Sequence, residues 1–426
     1  MSTVTTVTKI SRSISTPDKS EPLFDGPITI NNWYKYVNWL NVAFILGTPL
    51  VSLYGICTTE IQIKTLIWAV IYYYYTGLCI TAGYHRLWSH RAYRAHPLLQ
   101  LFFCLGGSGA VQGSIRWWCL KHRAHHRYTD TDKDPYSAHR GLLWSHIGWM
   151  LLRRGKKIKV GHADVSDLDA NPIAWIQHKY YGYFAIGMGY LFPYLVAGLG
   201  WGDWRGGLFI AGTLRLTFVH HATFCVNSLA HYIGETTYDD RRTPRDHFIT
   251  ALVTMGEGYH NFHHEFPNDY RNAIRFYQYD PTKWLIYVCS LLGLAYDLKK
   301  FPENEVQRGR IYMLQKKLDV RKAKLNWGVP INKLPIITFE EFQNMCLKEN
   351  HALVVIEGVV YDLADFIDSH PGGRKLILSG IGKDMTTAFN GGSYDHSNAA
   401  RNLMSHMRVA IIRGGMELET HISTHR

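Results

Sequence analysis

The chain has 426 residues, enough for two or three domains, and its 7 cysteines are scattered without any C-x-x-C pair, which argues against a disulfide scaffold, a thioredoxin-type motif and a thiolate zinc site. A hydrophobic content of 46% with a mean hydropathy of −0.14 averages long apolar runs with charged stretches, and excludes disorder for most of the chain. The net charge of +12 suits nucleic acid, an anionic membrane face or a phosphorylated substrate, while 23 histidines, the commonest metal-ligating side chain, are the anomaly.

Residues 1–30 are Ser/Thr-rich, contain no apolar run and read as a tail rather than a secretory signal. Four apolar runs follow, at 34–56, 63–83, 181–200 and 206–227. Each has about twenty residues, the length that crosses a hydrocarbon core of roughly 30 Å. They pair as two hairpins. Shorter runs at 97–111 and 284–296 read as interfacial or core helices. The hairpin joints hold only Arg205, whereas 85–179 carries Lys and Arg throughout, including Arg153, Arg154, Lys156, Lys157 and Lys159. Basic loops stay cytosolic, so both termini and the middle loop are predicted on that side. Arg215, His220 and His221 fall in the fourth run, and the cost of such groups against lipid turns their face into the bundle or a wet cavity. A charged, helix-prone linker covers 301–334. A small α+β domain at 335–413, with the β-like stretch HALVVIEGVVYDL, and a tail at 414–426 complete the chain. The predicted fold is mostly α: a four-span helical bundle with a cytosolic helical cap, plus the α+β domain.

Three histidine clusters stand out: His85-Arg-Leu-Trp-Ser-His90, His122-Arg-Ala-His125-His126 and His260-Asn-Phe-His263-His264. In the latter two, spacing i, i+3, i+4 places three imidazoles on one helical face, converging on one point. The five-residue spacing of the first does not fit an ideal α-helix and suits the mouth of the second span, where the helix is expected to end. Eight imidazoles exceed one coordination sphere, so two metals are implied. Zinc sites rarely take more than four ligands, and many neutral nitrogens are compatible with oxygen-binding iron.

With GEGYHNFHHEFPNDYR around the last cluster, the pattern over 32–300 resembles the histidine boxes of membrane acyl-CoA desaturases, most closely the fungal-type stearoyl-CoA (delta-9) group with a fused cytochrome b5 domain. The resemblance implies a di-iron centre that uses O2 and two electrons to convert saturated acyl-CoA to the cis-delta-9 product in the endoplasmic reticulum membrane. It adds His231 as a ninth ligand and Asn227 as the holder of a metal-bound water. Gln112, Trp118 and Thr223 match residues around the bend of the acyl chain, and Tyr73 and Gly77 match the closed end of the tunnel, where the missing side chain at Gly77 is expected to leave room for the methyl end. Arg153 and Arg154 match residues that touch the coenzyme A phosphates. Leu120 and Lys121 depart from the Arg-Asp pair of the animal enzymes. Trp118 lies four residues before His122, hence one helical turn from it. No side-chain acid or base can start the reaction on an unactivated methylene, so the protein's task is positioning.

The segment Val360-Tyr-Asp-Leu-Ala-Asp-Phe-Ile-Asp-Ser-His370-Pro-Gly-Gly373, followed by His396, resembles the haem-binding signature of cytochrome b5. Two axial histidines leave haem b no open position, so it carries electrons. No GxGxxG-type region is present, in keeping with an external NADH-cytochrome b5 reductase. No nucleic-acid partner is expected. A di-iron acyl or sterol hydroxylase, a histidine-rich divalent-metal transporter and a membrane-anchored cytochrome b5 are the rival readings.

Overall fold

The computed structural model describes residues 23–155, 161–392 and 394–414. Residues 1–22 of the tail expected at 1–30, residues 415–426 of the tail expected at 414–426, and Lys156, Lys157 and Lys159 lie outside the described residues. The chain divides into two compact units, Met1–Gln315 and Lys316–Arg426.

Among the described residues of the first unit, four helices are long and apolar enough to cross a membrane: Trp39–Thr58, Ile63–Ser89, Tyr181–Trp201 and Trp204–Tyr232. A twenty-residue helix rises about 30 Å, which matches the hydrocarbon core. Two differ from expectation. The second does not end near residue 83. Its stretch Cys79–Ser89 is wound as a π-helix and is buried throughout, and the His90 amide bonds the His85 carbonyl five residues back at 3.1 Å. The wider turn carries polar residues inward without breaking the helix. The fourth is interrupted at Ser228 (φ −113°, ψ −81°), so Asn227 and His231, whose i, i+4 spacing would place them on one face of an unbroken helix, sit on either side of a break.

The hairpin joint between the last two spans is sharp. Gly202 (φ 79°) closes one helix in the left-handed conformation, and the Asp203 carboxylate caps the next by accepting from the Gly206 amide at 2.8 Å. Arg215 is 2% exposed inside the bundle. Its guanidinium donates to the carbonyls of Gly109 (2.7 Å), Gly189 (2.8 Å) and Ala211 (3.1 Å) and lies over the Tyr72 ring. His220 Nε2 bonds the Ala110 carbonyl at 2.9 Å, and His221 pairs with His146 at 3.1 Å. The intramembrane polar groups thus face inward, as their cost in lipid demands.

Helix Pro97–Gly109 is too short to span. Gly106 and Gly107 let it press against Cys79, Tyr75 and Tyr84, where any Cβ would collide. Leu98, Leu101 and Phe102 remain exposed on its outer side. The run at 284–296 is only partly helical: helix Pro281–Leu291 is followed by β2 (Ala295–Tyr296), which pairs antiparallel with β1 (Arg94–Ala95). Helices Ile115–Tyr128, capped by Ser114, and His260–Glu265 carry the second and third histidine clusters.

The second unit contains a four-stranded sheet of order β3-β6-β5-β4, from β3 (Ile336–Ile337), β4 (Leu353–Ile356), β5 (Val359–Asp362) and β6 (Arg408–Ile412). β3 and β6 are parallel and the other pairs antiparallel. The β4–β5 hairpin turns on Glu357 (φ 51°) and Gly358 (φ 75°), the left-handed pair that a tight two-residue turn requires. Phe342 packs beneath the sheet against Leu353, Val355, Val360 and Ala410.

Candidate metal centres

Nine buried or nearly buried histidines gather where the second and fourth spans end. They form two groups whose ligand atoms lie within 4.8 Å of one another: His85, His90, His122, His126 and His263 in one, and His125, His231, His260 and His264 in the other. The single convergence point expected for each HxxHH motif is corrected. The i and i+4 residues (His122 with His126, His260 with His264) stay together, and the i+3 residue (His125, His263) turns to the other group. A 3.6-residue turn separates i+3 and i+4 by about 100°, enough to aim them at two neighbouring points. The π-helix brings His85 and His90 to one group, since its hydrogen bonds join residues five apart and here join these two. His126 and His264, one from each group, stack with ring centroids 4.2 Å apart, so the two groups adjoin.

The ring nitrogens fit metal ions. Nε2 faces Nε2 at 2.8 Å between His90 and His122, and at 3.0 Å from His263 to both His85 and His126. In the other group the separations are 3.1 Å for His260–His231 and His264–His260, and 3.3 Å for His125–His264. The opposite nitrogens show where the protons are. His85 Nδ1 meets Glu257 Oε2 at 3.0 Å and His125 Nδ1 meets Asp134 Oδ1 at 2.9 Å. His231 Nδ1 meets Thr243 Oγ1 at 2.7 Å, and that hydroxyl in turn donates to Asp130 Oδ1 at 2.6 Å. Each of these Nδ1 atoms therefore donates, which leaves Nε2 a bare lone pair. Burial pushes His90, His122, His126, His263 and His264 well below the usual imidazole value, and His260 to about 3, so these rings are neutral. Lone pairs crowded in this way repel unless a cation lies among them. Adjacent nitrogens about 3 Å apart are what metal–nitrogen bonds of about 2.1 Å produce.

Glu257 is held in turn. Arg86 Nη2 bonds its Oε1 at 2.9 Å, and Arg86 also forms a fork with Asp280 at 2.9 and 3.1 Å. Burial pushes the Glu257 carboxyl up, but His85 and Arg86 more than offset this and bring it to about 2. Glu257, Asp134, Thr243 and Asp130 were not singled out in the sequence. The available signals were the Glu inside GEGYHNFHH and the acidic run TDTDKDP after the second cluster.

A cavity of about 750 Å³ reaches His85 and His122 from the side. Tyr73, Gly77, Gln112, Trp118, Thr223 and Asn227 all line it. Trp118 stacks on His122 with centroids 4.8 Å apart, and Gln112 Nε2 donates to Thr223 Oγ1 at 2.8 Å. The space beside Gly77 is not vacant: a Cβ there would come within 2.4 Å of the Met255 methyl. Arg153 is exposed and Arg154 is committed elsewhere. The Arg154 guanidinium donates to the carbonyls of Asp132 (3.1 Å), Asp134 (2.7 Å) and Pro135 (2.7 Å), so it braces the loop that presents Asp134 to His125. Neither arginine lines the cavity. Among the described residues, Lys121 is the one Lys or Arg that does.

In the second unit His370 and His396 face each other, ring centroids 6.3 Å apart and 29° from parallel. Two metal–nitrogen bonds of about 2 Å and two half-rings fill that separation. His396 Nδ1 donates to the Phe389 carbonyl at 3.0 Å, which frees its Nε2, and the Phe389 ring stacks on it at 4.2 Å. Gly373 (φ 91°) turns the chain behind His370, and its amide bonds the His370 carbonyl at 2.9 Å. A flat iron macrocycle fits between the rings and would be closed on both faces.

Comparison with known proteins gives two family matches: fatty acid desaturase over residues 64–296, and cytochrome b5-like heme/steroid binding domain over 338–413. The chain is 54% identical over 403 residues to a probable acyl-CoA desaturase of Schizosaccharomyces pombe, covering 95% of this chain and 83% of that protein. It is 50% identical over 391 residues to acyl-CoA desaturase 1 of Saccharomyces cerevisiae, covering 91% and 76%. Human stearoyl-CoA desaturase is 38% identical over 270 residues, covering 62% of this chain and 75% of that one.

Proposed function

The chain belongs to the fatty acid desaturase family, and on that premise we propose that it is a membrane acyl-CoA desaturase that draws electrons through its own cytochrome b5 domain. The observation that carries this reading is the pair of adjoining imidazole groups, five and four, the first of which reaches a cavity of about 750 Å³ through His85 and His122. A saturated acyl-CoA, O2, two electrons and two protons give the cis-delta-9 monoenoyl-CoA and two waters.

We assign His85, His90, His122, His126 and His263 to one iron and His125, His231, His260 and His264 to the other, with Asn227 holding a water at the cavity wall. When bound, the iron pair supplies the oxidising power to remove hydrogen from an unactivated methylene. The chain's own residues position. Glu257, Asp134 and Thr243 fix the rings that they bond, and Trp118, packed on His122, presses the acyl chain toward the ligands. Gln112 and Thr223, bridged across the cavity, shape the bend that presents one carbon pair. Tyr73 and Gly77 line its inner end. Lys121 at the wall, with Arg153 outside it, attracts the anionic head group. His370 and His396 hold haem b, and a separate NADH-cytochrome b5 reductase loads it. The histidine-bearing ends of the spans and both termini face the cytosol, in the endoplasmic reticulum membrane.

Expression in a desaturase-deficient host, with fatty acids profiled by gas chromatography, tests the reading. Palmitoleate and oleate are expected. A hydroxylated product, or none, would overturn it.

A further inference from the structure

Resting on the desaturase reading, we propose that Met255 is the depth-setting residue of the acyl cavity: its thioether fills the notch left by Gly77 and forms the wall against which the methyl end stops. Met255 lines the cavity and is 4% exposed. Its methyl and sulfur would stand 2.4 and 2.6 Å from any Cβ at Gly77, so the two positions share one volume. The lack of a side chain at Gly77 makes room for Met255 rather than directly for the substrate.

The wall is held at a fixed depth. Met255 adopts a left-handed backbone (φ 56°), uncommon for a residue other than glycine. Its carbonyl accepts from Thr282 Oγ1 at 3.2 Å, and that hydroxyl also pairs with Thr81 Oγ1 at 2.7 Å on the second span. Two residues later comes Glu257, which holds His85. One short segment therefore carries both the stop for the chain end and the partner of a metal ligand. On the opposite wall, Gly77 and His85 lie eight residues apart along one continuous helix, whose π-wound part from Cys79 makes the axial rise shorter than the roughly 12 Å of an α-helix. The distance from reacting carbon to terminal methyl is thus set by two rigid connections. Methionine suits the task because its flexible thioether fills an irregular gap closely.

The test uses the full-length holoprotein with an equimolar mixture of palmitoyl-, stearoyl- and arachidoyl-CoA, and reads the ratio of twenty- to sixteen-carbon alkene. Met255→Ala should raise that ratio at least threefold. Gly77→Ala, which drives the thioether into the cavity, should lower it at least threefold, and the double variant should return it toward the wild-type value. Met255→Leu, with a shorter reach, should shift it in the same direction as Met255→Ala by less, and it decides the matter if the alanine variant loses iron. Ratios within twofold of wild type in iron-loaded Met255 variants, or a Gly77→Ala shift undiminished in the double variant, would overturn the proposal. A wild-type chain that makes no alkene overturns the desaturase reading itself, and the wall with it.

Discussion

The nine-histidine centre and the His370–His396 pair use the same side chain for opposite ends. In the second unit two rings face each other across 6.3 Å, and His370 and His396 would hold a macrocycle between them, where it would supply electron transfer. In the first unit five and four rings crowd two points, and His85 and His122 open onto a cavity large enough for an acyl chain. The difference lies in what surrounds the imidazoles. His396 is oriented by a backbone carbonyl and an aromatic ring. His85, His125 and His231 are oriented by side chains, two of them carboxylates, that lie far away in sequence or in a neighbouring loop. A closed site needs little more than two opposed rings, whereas an open one needs its ligands held while substrate and product exchange beside them.

Removing one ring from each site should separate their functions most clearly. His263→Ala should lower desaturation by more than about 100-fold and reduce bound iron, with the haem spectrum intact, since even an orienting partner is worth about 10–100-fold. His396→Ala should do the reverse: haem absorbance is lost and the iron stays. A variant of either kind that loses both metals would dissolve the distinction. Glu257→Gln tests the orienting partner alone. It should cost about 10–100-fold in activity or iron affinity, measured by metal analysis and turnover. His370 and His396 have no equivalent carboxylate bond among the described residues, so no such sensitivity is expected there.

Acid sharpens the contrast further. His90, His122, His126, His260, His263 and His264 are all held below the ordinary imidazole value by burial. As pH falls through about 6.5 the unfolded chain binds protons that the folded one refuses, so the stability present above that pH is progressively lost below it. The thermal midpoint should therefore fall between about pH 6.5 and pH 5. A midpoint that stays flat across that range would contradict neutral, buried rings. The smallest effect is expected at the cavity wall. Lys121→Ala should raise KM for acyl-CoA by about 3- to 10-fold with kcat little changed, in line with a half-exposed charge contact of about 1 kcal/mol.

Much of this was legible in the chain. The boxes, the span count and the motifs around His370 and His396 are local patterns, and HALVVIEGVVYDL reads as β-like. What could not be read was set by geometry beyond an ideal helix or by contacts across the fold. The π-winding at Cys79–Ser89 made a spacing of five look like a helix end. The division of His122, His125 and His126 between two points depends on where His263 and His264 arrive. The resemblance matched Arg154 to a phosphate contact, and sequence could not show the three carbonyls to which its guanidinium donates. Met255 carries no signal at all, since methionine beside glycine in a turn is unremarkable until the opposite wall is known.

Arg215 has a consequence for biogenesis. A lone guanidinium in a nascent transmembrane segment costs about 3 kcal/mol at the translocon. Two of the carbonyls that accept from it, at Gly109 and Gly189, belong to parts of the chain synthesised earlier. Both carbonyls have left the ribosome before the fourth helix does, so packing of that helix against them offsets the cost of its guanidinium in lipid.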